Sequence, residues 1–172
     1  MNIAYTMAPG RGDIDLLLQR VSRSLVLNGF RPAGTAQVNI ERADAGPCDM
    51  DVVVLPDGPT LRISQSLGAA SKGCRLDPQA LETAVGLVQA RLPASDCLIV
   101  NKFGKHEAEG RGFRPVIAEA LALDLPVLVG VNQLNLGAFE AFTGGMARRL
   151  VPDPELLETW LLHHVGTSVP AA

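Results

Sequence analysis

The stretch Thr6-Met7-Ala8-Pro9-Gly10-Arg11-Gly12-Asp13-Ile14-Asp15 decides the fold of this chain. It follows an apolar run, residues 3–7, that is typical of a short buried strand. It leads into residues 13–28, where apolar side chains recur at helical spacing. We expect Asp13 to be the N-cap of this helix and Gly29 to follow its last turn. A strand, a glycine turn and a helix in this order predict the opening unit of an α/β sheet.

The same turn has the position and the glycines of a phosphate-binding loop. Such a loop carries Lys and then Ser or Thr at the helix start, for the phosphates and the Mg²⁺. Asp13 and Ile14 stand there instead. Gly10, Arg11 and Gly12 can still offer backbone N–H groups to an anion, but an Asp13 carboxylate competes for the same donors. Two alternatives stay open: an altered anion site, or a capped helix behind a tight turn.

Strands and helices alternate along the rest of the chain. Further strands are predicted at 32–40, 50–55, 61–65, 97–100 and 127–131, and further helices at 78–92, 114–123, 136–142 and 154–164. The turn Pro56-Asp57-Gly58-Pro59 predicts an antiparallel hairpin between the third and fourth strands. We therefore expect one α/β domain over residues 1–166, a mainly parallel sheet flanked by helices with an antiparallel hairpin extension, and a frayed tail at 167–172.

Composition narrows the classes of function. Of 172 residues, 47% are hydrophobic and 4% aromatic, which predicts a core of aliphatic side chains like that of a buried parallel sheet. The net charge of −3 argues against general nucleic-acid binding. No apolar run is long enough for a membrane span, and the start of the chain lacks a leader pattern. Three unpaired cysteines argue against structural zinc, so we expect a cytoplasmic protein without a metal site.

Basic residues are concentrated in the loops expected at the carboxyl edge of the sheet, where open α/β folds bind ligands. They are Arg11, Lys72, Arg75, Lys102, Lys105, Arg111 and Arg114. If they converge, they form a phosphate or oxyanion site. The alternative is that they are separate, solvated charges.

The segment 101–112 is predicted as a long polar loop, and long loops often carry function. Asn101, Lys102, Lys105 and Arg111 are its candidate ligand-binding residues. For catalysis, Glu107 is the candidate base and Lys102 the candidate charge stabiliser.

Two further features concern the hairpin region. The edge of the hairpin 51–65 could pair with a protein partner or with a second copy of the chain. Cys48 and Cys74 flank the hairpin, where they could bind a soft metal or respond to oxidation, or simply be small buried residues.

Two resemblances extend these inferences. The blocks MAPGRGD, PCDMDVVVLPDGP, RISQSLG and NKFGKHEAEGRGF resemble an uncharacterised bacterial domain family found near molybdate-handling systems, which would suit an oxyanion ligand. More distantly, the order of elements resembles the small P-loop nucleoside-triphosphatases of thermophiles, which implies a three-layer fold with a degenerate Walker A motif. In that resemblance Asn101 and Lys102 take the places of an acidic pair, and Glu107 keeps the place of a glutamate.

Three functional hypotheses follow. The first is a small-anion binding protein, with a nucleotide or an inorganic oxyanion such as molybdate or phosphate as its ligand, in a sensor or accessory role. The second is a nucleoside-triphosphatase or phosphotransferase with a non-standard site. The third is a protein–protein interaction module that acts through the hairpin.

Overall fold

The structure is a computed structural model that describes residues 2–10, 12–43, 47–65 and 75–165. Its strands are β1 (Ile3–Thr6), β2 (Pro32–Ile40), β3 (Asp49–Val54), β4 (Thr60–Arg62), β5 (Cys97–Phe103), β6 (Val127–Val131) and β7 (Arg148–Leu150). Its helices are α1 (Asp13–Leu27), α2 (Pro78–Gln89), α3 (Lys105–Ala108), α4 (Arg114–Ala122), α5 (Leu136–Thr143) and α6 (Pro154–Val165), with a 3₁₀ turn at Leu92–Ala94.

The strands form one sheet in the order β4-β3-β2-β5-β6-β1-β7. The run from β2 to β7 is parallel, whereas β3 and β4 add an antiparallel extension beyond β2. The carboxyl ends of the parallel strands therefore lie along one edge of the sheet. This arrangement confirms the predicted mainly parallel sheet with a hairpin extension.

Helices cover both faces of the sheet, which makes the fold three-layered. One face packs against α2, α4 and α5, and the other against α1 and α6. Strand β5 contributes side chains to both faces. Leu98 and Val100 pack in the apolar cluster with α2, α4 and α5, whereas Cys97 and Ile99 pack in the cluster with α1 and α6. Because side chains alternate along a strand, a continuous apolar run is buried on both faces.

Most predicted elements agree with the structure to within a few residues, but three predictions were wrong. Strand β5 continues to Phe103, so Asn101 and Lys102 lie in a strand rather than in the predicted loop 101–112. Within that loop the short helix α3 was missed. The edge strand β7 was also missed, since its sequence Arg-Arg-Leu has no apolar alternation.

Gly130 in β6 allows the first turn of α1 to lie close to the sheet. A Cβ atom there would stand 2.2 Å from the carbonyl oxygen of Asn101 and 2.9 Å from the Ile14 side chain. No other residue type fits without moving α1 or β5. The glycine thus brings the start of α1 close to the carboxyl half of β5.

Among the described residues, no helix is long and apolar enough to cross a membrane. The frayed tail expected at 167–172 lies outside the described ranges, and one domain over 1–166 stays a prediction. So does partner binding through the hairpin, where Arg62 of β4 pairs with Asp49 and Asp51 of β3.

Candidate functional site

The glycine turn joins a core strand to a helix, as the sequence indicates, but its cap differs by one residue. Gly12, not Asp13, is the N-cap of α1, with φ of 86°. Its carbonyl oxygen accepts the N–H groups of Asp15 at 3.0 Å and Leu16 at 3.2 Å. Glycine occupies this place because left-handed backbone is strained for other residues. The prediction of Asp13 as N-cap is therefore wrong.

Asp13, the first residue of α1, nevertheless acts on the turn as expected. Its Oδ2 atom accepts the backbone N–H of Gly10 at 3.0 Å. A backbone donor that an anion could use is thus engaged by a carboxylate, and the local charge is negative. Arg11, the remaining candidate of the turn, lies outside the described residues.

Asp15 is the main residue of the site, and the sequence analysis missed it. It lies in the first turn of α1, is 1% exposed and faces the sheet. Lys102 Nζ lies 2.8 Å from its Oδ1 and 3.0 Å from its Oδ2. Asn101 Nδ2 donates to Oδ1 at 2.7 Å. A buried carboxylate is thus paired with a cation and hydrogen-bonded as well, as buried charges require.

Two side chains of β2 complete this arrangement. Asn39 Nδ2 donates to Asp15 Oδ2 at 2.7 Å, and Gln37 Nε2 reaches the same oxygen at 3.3 Å. The backbone N–H of Gln37 donates to Asn101 Oδ1 at 3.1 Å, and Lys102 Nζ donates to Gln37 Oε1 at 3.3 Å. We call Asp15, Gln37, Asn39, Asn101 and Lys102 the Asp15 network. It joins α1, β2 and β5 at the carboxyl edge of the sheet.

A register shift in β5 lets neighbouring residues join the same network. Successive side chains of a regular strand point to opposite faces, yet Asn101 and Lys102 both contact Asp15. The pairing of β5 with β6 is irregular between Val100 and Phe103. Such irregularities re-aim side chains and are common beside functional sites.

Glu107 stabilises the connection between β5 and α4 by hydrogen bonds to its backbone. It is 3% exposed, and its Oε2 accepts the N–H of Gly104 at 2.9 Å while its Oε1 accepts that of Phe113 at 3.2 Å. Gly112 has φ of 59°, and a Cβ there would lie 2.1 Å from Glu107 Oε1. Both oxygens of the candidate base thus hold backbone donors, and its catalytic role stays a prediction.

A second carboxylate holds the same connection from α2. Glu82 Oε1 lies 2.7 Å from His106 Nε2 and accepts the N–H of Gly112 at 2.9 Å. His106 is buried at this contact. The connection is therefore anchored on both sides rather than being an open polar loop.

The described basic residues converge only in part. Lys105 and Arg111 both pair with Glu109, and the hydrogen bond from Arg111 lowers the pKa of that carboxyl below its ordinary value. Arg111 lines a separate, shallow cavity of about 590 Å³, and Arg114 lies over the ring of Phe142. Lys72 lies outside the described residues.

A larger cavity of about 810 Å³ opens beside the Asp15 network. This size is within the usual range for small-molecule sites. Its cationic lining is Arg75, Lys102 and Lys105, and all five residues of the Asp15 network also line it. The apolar part of its wall is Met50, Val52, Ile63, Leu76, Leu81 and Phe113. We call it the main cavity.

Some of the predicted site residues line the main cavity, and others do not. Gly12, Asn101, Lys102, Lys105 and Glu107 line it. Gly10, Asp13 and Arg111 do not belong to its lining. The structure therefore gathers the candidates from β5 and the following connection, but separates them from most of the glycine turn.

Metal ligands and cysteines in the described ranges also bear on the sequence predictions. No group of three His, Cys, Asp or Glu residues in them could hold a metal ion. Burial raises the pKa of Cys97 to about 12, with a smaller contribution from Asp96, so its thiol is neutral. Cys48 is exposed, and the proposed approach of Cys48 to Cys74 involves a residue outside the described ranges.

The protein has a three-layer α/β fold, and this fold is similar to that of a solved nucleoside triphosphatase. The solved structure of a human cancer-related nucleoside triphosphatase matches all of both chains with a TM-score of 0.60. The two sequences are 17% identical, so the likeness concerns the fold alone.

The chain belongs to the family described as "Protein of unknown function (DUF2478)", whose model matches residues 3–160. It is also 34% identical over 159 residues to Molybdenum import ATP-binding protein ModC 2 of Bradyrhizobium diazoefficiens. That match covers 92% of this chain but 18% of the relative.

Proposed function

We propose that this protein binds a small anionic ligand of the nucleotide class in the main cavity and does not hydrolyse it. The observation that carries the proposal is the lining of the main cavity. It combines the apolar side chains named above with polar and charged side chains, among them Lys102. Such a surface suits a ligand with a flat organic part and a negatively charged part. An inorganic oxyanion would contact only the polar and charged side chains and would leave the apolar side chains of the lining uncovered.

The charge of the cavity supports an anion. Lys105 is 85% exposed in its side chain, and Lys102 42%, so both ammonium groups can meet a ligand from solvent. Arg75 is held in place by the carbonyl oxygens of Pro47 and Cys48 and by Asp49. A fixed guanidinium and two exposed ammonium groups are suited to phosphate oxygens.

The contacts of the site also support binding without hydrolysis. Efficient phosphoryl transfer depends on a cation at the loop lysine, a bound Mg²⁺ and a positioned base or water. Asp13 provides no cation and Ile14 provides no ligand for Mg²⁺. Glu107, the candidate base, accepts hydrogen bonds from two backbone N–H groups. We therefore infer a sensor or accessory role rather than an enzyme.

The comparisons support the same ligand class. The ModC relative is named as an ATP-binding protein for molybdenum import. Since only 18% of its length is matched, this name is a reason to test nucleotides and molybdate, and the assay must distinguish them.

Isothermal titration calorimetry at physiological salt tests the proposal. ATP, ADP and AMP are compared with adenosine, phosphate, sulfate and molybdate. We expect binding of at least one nucleotide with a Kd below about 1 mM, and weaker binding of the inorganic anions. Tight molybdate binding without nucleotide binding would favour the oxyanion alternative. If no probe binds at millimolar concentration, the proposal is refuted.

A charge-reversal pair makes the test specific to the cavity. Lys105→Glu changes an exposed side chain of the cavity lining and should weaken nucleotide binding by about fivefold to tenfold. Arg20→Glu makes the same change on the exposed side of α1, away from the cavity, and should alter Kd by less than about twofold. In parallel, phosphate release from ATP and GTP with Mg²⁺ should stay at background.

A further inference from the structure

We propose that the Lys102 ammonium group replaces the divalent cation of hydrolytic members of this fold, so that the site is closed to Mg²⁺ and binds its ligand without one. The nucleotide part of this inference rests on the proposed function. The exclusion of the cation does not, because it follows from the contacts of the Asp15 network.

The Asp15 carboxylate is fully used. Its Oδ1 accepts from Asn101 and lies 2.8 Å from Lys102 Nζ, and its Oδ2 accepts from Asn39, Gln37 and Lys102. A carboxylate offers about four lone-pair sites, and these four hydrogen bonds together with the ammonium group beside Oδ1 occupy them. The side-chain oxygen of Asn101, Oδ1, accepts the N–H of Gln37.

Charge and geometry also exclude a divalent cation from this site. Mg²⁺ requires near-octahedral oxygen ligands at about 2.0–2.1 Å. The only carboxylate of the network already has an ammonium group 2.8 Å from one of its oxygens. A divalent cation at the same carboxylate would stand beside a like charge and would have to displace it. Ile14 offers no hydroxyl where a P-loop presents Ser or Thr to the metal.

The Lys102 ammonium group remains available to a ligand. The Lys102 side chain is 42% exposed and lines the main cavity, whereas the Asp15 side chain is 2% exposed. Asp15 and Gln37 therefore hold the inner side of the lysine, and its outer side faces the cavity. A fixed cation in this position can compensate phosphate charge, which is the electrostatic part of the role of Mg²⁺ in this fold.

Removing Lys102 should open the site to a metal ion. In Lys102→Ala the buried carboxylate keeps its amide neighbours but loses its counter-ion. Carboxylate and amide oxygens are the ligands that Mg²⁺ and Mn²⁺ favour. The chain would then bind a divalent cation that the natural protein does not bind.

The experiment has one readout without nucleotide and one with it. In the first, thermal unfolding is followed with and without millimolar MgCl₂ or MnCl₂. We expect no rise in Tm for the natural protein and a rise of about 2–4 °C for Lys102→Ala. Lys105→Ala is the matched control: it removes another lysine of the cavity lining, one that contacts Glu109, and should show no cation response. Lys102→Met, which keeps most of the aliphatic stem, is the second variant if Lys102→Ala does not fold.

In the second readout, ATP binding is measured in Mg²⁺ and in EDTA. The natural protein should bind at least as tightly in EDTA, whereas Lys102→Ala should lose about tenfold in EDTA and regain part of it in Mg²⁺. Stabilisation of the natural protein by either cation overturns the inference, as does a folded Lys102 variant that gains no cation response. If the natural protein binds no ATP, the proposed function fails, and the Tm readout still decides whether Lys102 excludes the cation.

Discussion

The pair of Asp15 and Lys102 allows a quantitative prediction about stability, through a double-mutant cycle of Asp15→Ala and Lys102→Ala. Asp15→Ala removes a buried acceptor and leaves the Asn101 and Asn39 amide groups without it, so we expect a loss of about 3–5 kcal/mol in the free energy of unfolding. Lys102→Ala should cost less, about 1.5–3 kcal/mol, because Asp15 keeps its amide donors and Lys102 is partly solvated.

The double variant should be about as stable as Asp15→Ala alone. Once the carboxylate is gone, the exposed end of Lys102 can turn to water, and removing the lysine then costs little. The cycle should therefore give a coupling energy of about 1.5–3 kcal/mol between the two residues. This is the value expected if the ammonium group acts mainly through Asp15.

Urea unfolding followed by circular dichroism measures all four proteins, provided that the m-value is constant across the set. Lys105→Ala is the control for loss of a lysine and should cost less than about 0.5 kcal/mol, since its partner Glu109 is a surface residue. Additive effects of the two substitutions, within about 0.5 kcal/mol, would refute the reasoning, because independent sites behave in that way. So would a Lys102→Ala cost no larger than that of the control.

Three further predictions concern other parts of the site and the core. Glu107→Gln should lower the free energy of unfolding by about 1–3 kcal/mol and speed amide hydrogen exchange in the connection between β5 and α4. The control Glu109→Gln should change neither quantity. Faster exchange in both variants would contradict the anchoring role of Glu107. Gly112→Ala should be at least about 1 kcal/mol more destabilising than Gly110→Ala in urea unfolding, because both have positive φ but only the Gly112 Cβ would meet Glu107. The pKa of Cys97 is raised to about 12, so its thiol should resist iodoacetamide at pH 8 in the folded chain and react in urea, as mass mapping would show. Because the folded pKa lies above the unfolded value, the contribution of Cys97 to stability is complete below about pH 9 and falls between about pH 9 and pH 12. A free energy of unfolding that stays constant over that interval would contradict the prediction.

Much of the fold follows from local pattern. The apolar run of β5 is buried on both faces and was predicted as a strand, and the turn at Pro56–Pro59 gave the hairpin. The limits of β5 were not predicted, because Asn101 and Lys102 are polar and resemble the start of a loop. They stay in the strand since pairing with β6 extends to Phe103 and Val131.

The site was predicted less well than the fold. Lys102 and Asn101 were selected, but Asp15 was passed over, although it lies three residues before Leu18 on the buried stripe of α1. A carboxylate on an apolar stripe was the available signal. Gln37 and Asn39 lie two apart on β2 and so share one face, which is a weaker signal of the same kind. Their partners are distant in sequence, and only folding shows what they contact.

The sequence by itself determined the order of strands and helices, the glycine turn after β1 and the presence of Asp13 and Ile14 directly after that turn. These are properties of neighbouring residues, governed by backbone preference and by the spacing of apolar side chains. The tertiary structure alone decided which charges meet. It brought Asp15 of α1 against Lys102 of β5, 87 residues away. Burial is the physical reason: a carboxylate enclosed between a helix and a sheet requires a counter-ion and donors, and the packing of α1 on β2 and β5 determines which residues supply them.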